Sequence, residues 1–125
     1  MSRTISGLPG LLAGAILSLV AAGPVAAEEF RVIEDADRFV SLVSGRELRR
    51  LGIRVSVSPA GEITGRAFGA PVTGAWTWQG GYFCRDLYWN GDDLGYNCQL
   101  VQHSGDTVRF TSDRGAGMFA DLRLR

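Results

Sequence analysis

From Arg46 onward, apolar residues recur at every second position, in short runs that each end in Gly, Pro, Asn or Asp. Successive side chains on a strand point to opposite faces, so this period of two builds sheets with one greasy face and one polar face. Ile53, Val55 and Val57 alternate with Arg54, Ser56 and Ser58, and Pro59-Ala60-Gly61 turns the chain. Ile63, Gly65 and Ala67 then share a face, with Thr64, Arg66 and Phe68 opposite, before a turn at Gly69-Ala70-Pro71. Val72, Gly74, Trp76 and Trp78 share the next face, and Gln79-Gly80-Gly81 turns again. In the following run Tyr82, Cys84, Asp86 and Tyr88 lie on one side, with Phe83, Arg85, Leu87 and Trp89 on the other. Ser104-Gly105-Asp106 is a turn, Val108 and Phe110 mark a short strand, Asp113 to Gly117 is a loop, and Leu122 and Leu124 close the chain. The pattern predicts a mainly β chain, an antiparallel meander of about seven or eight short strands. In so small a domain it should curl into a barrel or half-barrel.

One short N-terminal helix precedes the strands. Asp35 or Asp37 can cap it, Gly45 can end it, and Phe39 with Leu42 and Val43 forms the i, i+3, i+4 stripe that must pack on something. Against a β meander, that helix either covers an open edge or plugs one end.

Cys84 and Cys98 are the only cysteines. Residues 81–89 and 94–102 are both strand-like, separated by the turn cluster Asn90-Gly91-Asp92-Asp93. A hairpin turning near Gly91 places the two sulfurs opposite each other, which favours a structural disulfide. The competing reading is a redox or metal-binding pair, but the spacing is not C-x-x-C and only His103 could join as a nitrogen ligand.

The first residues suit the compartment a disulfide needs. Arg3 supplies a positive start, Leu8 to Val20 is almost wholly apolar, and Val25-Ala26-Ala27 presents small residues ahead of Glu28-Glu29. The apolar run is shorter than the roughly 20 residues of a spanning helix. A signal peptide over residues 1–27 is therefore expected, with cleavage after Ala27 and export to a periplasm or the exterior. The remaining 98 residues, 28–125, make one β domain with no stable membrane span, expected to be a monomer. Without Arg3 its twelve arginines face thirteen carboxylates, which leaves no basic excess to hold a nucleic-acid backbone.

The segment Gly74-Ala75-Trp76-Thr77-Trp78-Gln79-Gly80-Gly81-Tyr82-Phe83-Cys84-Arg85, followed by Asn97-Cys98-Gln99, resembles a family of small exported proteins of Gram-negative bacteria. The resemblance covers most of the chain after the leader, and it implies a fold type and an exported setting without a mechanism. Some members of that family carry the label dihydrodipicolinate reductase, an enzyme that resembles a far longer, two-domain, nicotinamide-dependent protein. This chain does contain G-x-G-x-x-A at Gly115 to Ala120, but the fingerprint needs a helix after its glycines and further βα units behind it. Only five residues follow Ala120, so the segment reads as a glycine loop before the last strand and no cofactor is expected.

Catalytic constellations are sparse. His103 is the sole histidine, no serine lies in a G-x-S-x-G setting, and neither acidic pair, Asp92-Asp93 or Glu28-Glu29, has the alternating ligands of a calcium loop, so no metal is expected. Arg85 and Asp86 are neighbours in mid-strand and so point to opposite faces; if the domain is a closed barrel, one of them faces its interior. The densest signal is aromatic: Trp76, Trp78, Tyr82, Phe83, Tyr88, Trp89 and Tyr96 fall close together and occupy both faces. Either the helix and termini cover the outer face, or some of these rings form a recognition surface.

The leading expectation is a non-catalytic binding module that uses Arg85, Trp76, Trp78, Tyr88 and Trp89 to hold an apolar small molecule, a glycan or an envelope protein. The alternatives are a small hydrolase built on His103 or Asp86, and a purely structural envelope component.

Overall fold

The computed structural model describes residues 29–125, so the expected leader lies outside the described residues. Tight turns set the meander. At Phe68-Gly69, Gly80-Gly81 and Asn90-Gly91 both central residues have positive φ, between 51° and 89°, as the two-residue hairpins that match the twist of their strands require. They join β4 (Glu62–Ala67) to β5 (Ala70–Gln79), β5 to β6 (Tyr82–Trp89), and β6 to the two-residue β7 (Asp92–Asp93). Upstream lie β1 (Arg31–Val32), helix α1 (Ala36–Val43), β2 (Leu48–Arg50) and β3 (Ile53–Val57). Downstream, β8 (Asn97–Ser104), β9 (Thr107–Thr111) and β10 (Phe119–Leu124) complete the chain, with a single 3-10 turn at Asp113–Gly115.

Every pairing is antiparallel, and among the described residues eight strands close on themselves in the order β2-β3-β4-β5-β6-β8-β9-β10. Two long-range seams make the closure. The β10–β2 seam pairs Leu124 with Leu48 and Arg123 with Arg49. The β6–β8 seam pairs Phe83 with Gln99, Cys84 with Cys98 and Arg85 with Asn97. The disulfide joins Cys84 to Cys98, and so staples the middle pair of the second seam. Beyond that seam the free edges of β8 and β6 are covered by β1, which pairs with Gln102 and His103, and by β7, which pairs with Tyr88 and Trp89.

Two boundaries differ from those read in the sequence. The turn expected at Gly69-Ala70-Pro71 comes earlier, at Phe68-Gly69, because the Phe68 N–H donates to Gly52 O while Ala70 and Pro71 already pair with Ala67 and Arg66. The strand expected from residue 94 begins at Asn97. Between the Tyr88–Asp93 and Cys84–Cys98 pairs the register slips by one residue, a bulge at which Gly95 adopts a φ of 90°.

Of the two roles open to the helix, the plug is the one observed. Asp35 caps it, its carboxylate accepting from the Arg38 N–H, and Phe39 and Val43 are its buried residues. Phe39 is fully buried, with its ring 5.0–5.4 Å from those of Trp76, Trp78 and Phe83 and 6.3 Å from that of Phe110. Those rings project from β5, β6 and β9 at one end of the barrel, which the helix thereby shuts.

Candidate functional site

Above the aromatic floor the barrel is not filled. A cavity of about 530 Å³ runs from Phe83 and Phe110 up to Phe68 and Leu94, and opens at the end opposite the helix. Its volume lies within the roughly 300–1,000 Å³ typical of small-molecule sites. An eight-stranded barrel is just wide enough either to be filled by its own side chains or to hold one small ligand. The residues facing inward decide which. Between Ile63 and Ala67 on β4 the inward position is Gly65, and between Val72 and Trp76 on β5 it is Gly74. A Cβ at Gly65 would lie 2.2 Å from Arg54 O, and one at Gly74 would lie 2.5 Å from Asp86 O. The neighbouring strand's backbone comes so close at these points that only glycine fits, and neither position adds a side chain to the interior. Ala67 and Ala120 add two more short side chains to the lining.

The walls are apolar, from Leu48, Val55, Val57, Leu87 and Leu122 among others. Tryptophan brings a polar N–H, but each indole here spends it on a backbone carbonyl. Trp76 Nε1 donates to Ser58 O at 2.9 Å, Trp78 Nε1 to Glu34 O at 3.3 Å, and Trp89 Nε1 to Ala67 O at 2.8 Å. Trp89 therefore offers the cavity the apolar surface of its ring.

Two polar side chains break this surface, Arg85 and Gln99, both at the β6–β8 seam. Gln99 stands opposite Phe83, so Arg85 is its diagonal neighbour on the inner face, within reach of a long side chain. Arg85 Nη1 donates to Gly95 O at 2.8 Å, which ties the guanidinium to the bulge that rises to the mouth. Burial pulls the Arg85 pKa down, opposed by the charge of Asp86. Asp86 faces the other way, where its carboxylate accepts from the Ala75 N–H. Among the described residues no carboxylate lies within ion-pairing distance of Arg85.

The mouth is unusual in composition. Alternate connections of a meander share one end, so the β2–β3, β4–β5, β6–β8 and β9–β10 connections all ring the opening. They carry Leu51, Phe68, Leu94, Tyr96 and Met118, five of the seven large exposed hydrophobic residues described. Phe68, 72% exposed despite a φ of 51°, lies over Gly52, where a Cβ would come within 2.5 Å of its ring.

The residues singled out in the sequence thus divide. Arg85 and Trp89 line the cavity, Trp76 and Trp78 belong to the aromatic floor, and Tyr88 lies on the outer face between Thr73 and Asp93. His103 pairs with Arg31 and Val108 on the wall near the helix, and its Nδ1 is buried without a hydrogen-bond partner among the described residues. The G-x-G-x-x-A segment is a loop leading into β10, with no helix behind its glycines. Sequence reasoning passed over Gln99, Leu87, Phe68 and Leu94; the signal that could have found the cavity was glycine at two inward strand positions, Gly65 and Gly74.

Comparison with known proteins returned no match to a family model, a curated protein or a solved structure. The geometry of the barrel therefore carries the functional argument.

Proposed function

We propose that this protein is a non-catalytic binding module that holds one apolar small molecule inside its barrel. The carrying observation is the cavity of about 530 Å³, apolar along its walls, shut at one end by α1 and open at the other through an apolar rim. Burying hydrocarbon there returns about 25 cal/mol for each Å² removed from water. A site closed on all sides but one also removes most of a ligand's surface from solvent. The exposed residues of the mouth support the same reading, since large apolar side chains grouped on a surface mark the place where something apolar passes or docks. Export belongs to this proposal: a leader over residues 1–27, the Cys84–Cys98 disulfide and the resemblance of the Gly74–Arg85 and Asn97–Gln99 segments to exported proteins favour an oxidising compartment. Among the described residues no helix is long and apolar enough to cross a membrane.

The test is to titrate the protein with a neutral apolar dye, N-phenyl-naphthylamine, and to repeat the titration with Ala120→Trp. That substitution puts an indole into the cavity from β10. The wild type is expected to take up one dye per chain, and the variant to bind at least about tenfold more weakly, a loss of about 1.4 kcal/mol or more, while melting no lower. A wild type that leaves the dye in water, or a variant that binds it equally well, would count against a cavity carrier and turn attention to a glycan or envelope protein on the outer surface.

A further inference from the structure

The geometry points to a ligand with an anionic head on an aliphatic body, its head held by Arg85 and Gln99 at the β6–β8 seam and its body in the apolar chamber below. This deepens the carrier reading and rests on it. A carrier of plain hydrocarbon has no use for a cation in its wall, and a charge taken out of water without a counter-ion is costly. Arg85 nevertheless lines the cavity, with Gly95 O as its hydrogen-bond partner and no carboxylate in ion-pairing range among the described residues. Its other N–H groups remain available to a planar acceptor, and a guanidinium is the side chain best matched to a carboxylate.

Position adds direction to the chemistry. The hydrogen bond to Gly95 holds the guanidinium beneath the bulge at the open end, while Phe83 and Phe110 floor the chamber on the helix side. A head bound at Arg85 therefore sits near the mouth, and the tail descends toward the aromatic floor. Gln99 is 8% exposed and diagonal to Arg85 across the seam. Its amide nitrogen donates to Ser112 Oγ at 3.4 Å and has a second N–H to offer the head, a neutral donor in a site that otherwise offers only charge and hydrocarbon. The depressed Arg85 pKa agrees with a partly desolvated cation that an anion would relieve.

Decanoate and decanol differ in the head and share the same chain length, so their competition against the neutral dye isolates the head. Near neutral pH the wild type is expected to bind decanoate at least about tenfold more tightly than decanol, or about 1.4 kcal/mol. Arg85→Met should abolish that preference, so that decanoate binds no more tightly than decanol. Equal affinity of the wild type for the two, a result that needs no variant to fold, would overturn the anionic head and leave the carrier standing. Survival of the preference in Arg85→Met would overturn the role of Arg85. Dye uptake with displacement by neither compound also overturns the proposal, whereas failure to take up the dye at all defeats the carrier reading itself.

Discussion

Arg109 shows how much one cation can organise on the outside of this barrel. Its guanidinium lies 3.9 Å from the ring centre of Phe30 and 4.1 Å from that of Phe119, and Nε and Nη2 meet the two carboxylate oxygens of Asp121 at 2.8 and 3.0 Å. The two residues face each other directly across β9 and β10. Hydrogen bonding from Arg109 is the main cause that holds the Asp121 carboxyl below its ordinary range, opposed by desolvation and helped by the charges of Arg109 and Arg50. A carboxylate lowered on folding adds stability above its unfolded pKa, near 4, and loses it as pH falls through the folded value. The melting-temperature gap between wild type and Asp121→Asn should thus be constant above about pH 5 and shrink below about pH 4. A gap that does not change with pH would mean that Asp121 acts by packing alone. Arg85 is the counterpart inside the wall, the same fork of donors bonded to Gly95 O and, among the described residues, to no carboxylate.

At the scale of elements, the seam between β6 and β8 is one of the two short contacts that close the barrel. It rests on three residue pairs, whereas β5 and β6 share eight. An antiparallel contact of so few pairs gains little from its own ladder, so the covalent link at its centre matters. A loop of about 15 residues closed by a disulfide is worth about 3 kcal/mol of stability. Replacing Cys84 and Cys98 together by Ser should lower the unfolding free energy by about that amount in urea titration. Because Arg85 and Gln99 stand on either side of the same seam, the variant should also lose most of its affinity for the dye. Stability reduced with dye binding intact would show that backbone pairing alone keeps the wall shut. The opposite end needs no such help: α1 inserts Phe39 among Trp76, Trp78, Phe83 and Phe110, and the five rings pack into one cluster.

For the whole molecule, the chamber left between the side chains couples ligand binding to stability, because an apolar ligand gives its walls the contacts that side chains supply in an ordinary core. A ligand that binds only the folded barrel stabilises it by mass action, by about 2.7 kcal/mol at a hundredfold excess over its Kd. For a domain of this size that corresponds to a rise in melting temperature of about 10–20 °C. Calorimetric scans over a decanoate series below its micelle concentration should show a melting temperature that climbs with ligand concentration and levels off in Ala120→Trp. A wild type insensitive to ligand would deny any coupling between chamber and fold.

Much of this architecture was legible in the order of residues alone, because it depends on neighbours a few positions apart. Alternation from Ile53 to Val57 and from Val72 to Trp78 marks strands, Gly80-Gly81 and Asn90-Gly91 mark hairpins, and Asp35 or Asp37 marks the start of the helix, with the structure selecting Asp35. The Cys84–Cys98 pairing follows from the hairpin between them. Closure, by contrast, was decided by the tertiary structure. It depends on β10 meeting β2 and on the close backbone approach at Gly65 and Gly74, and no short window of sequence contains both partners of such a contact. The same holds for the two faces of β6. Alternation separates Phe83, Arg85, Leu87 and Trp89 from Tyr82, Cys84, Asp86 and Tyr88, but both sets carry aromatics, and only the closed barrel makes the first set the inside. That choice turns Arg85 from an ordinary strand charge into the one cation that lines the apolar chamber among the described residues. Volume left over after packing is a property of all eight strands together.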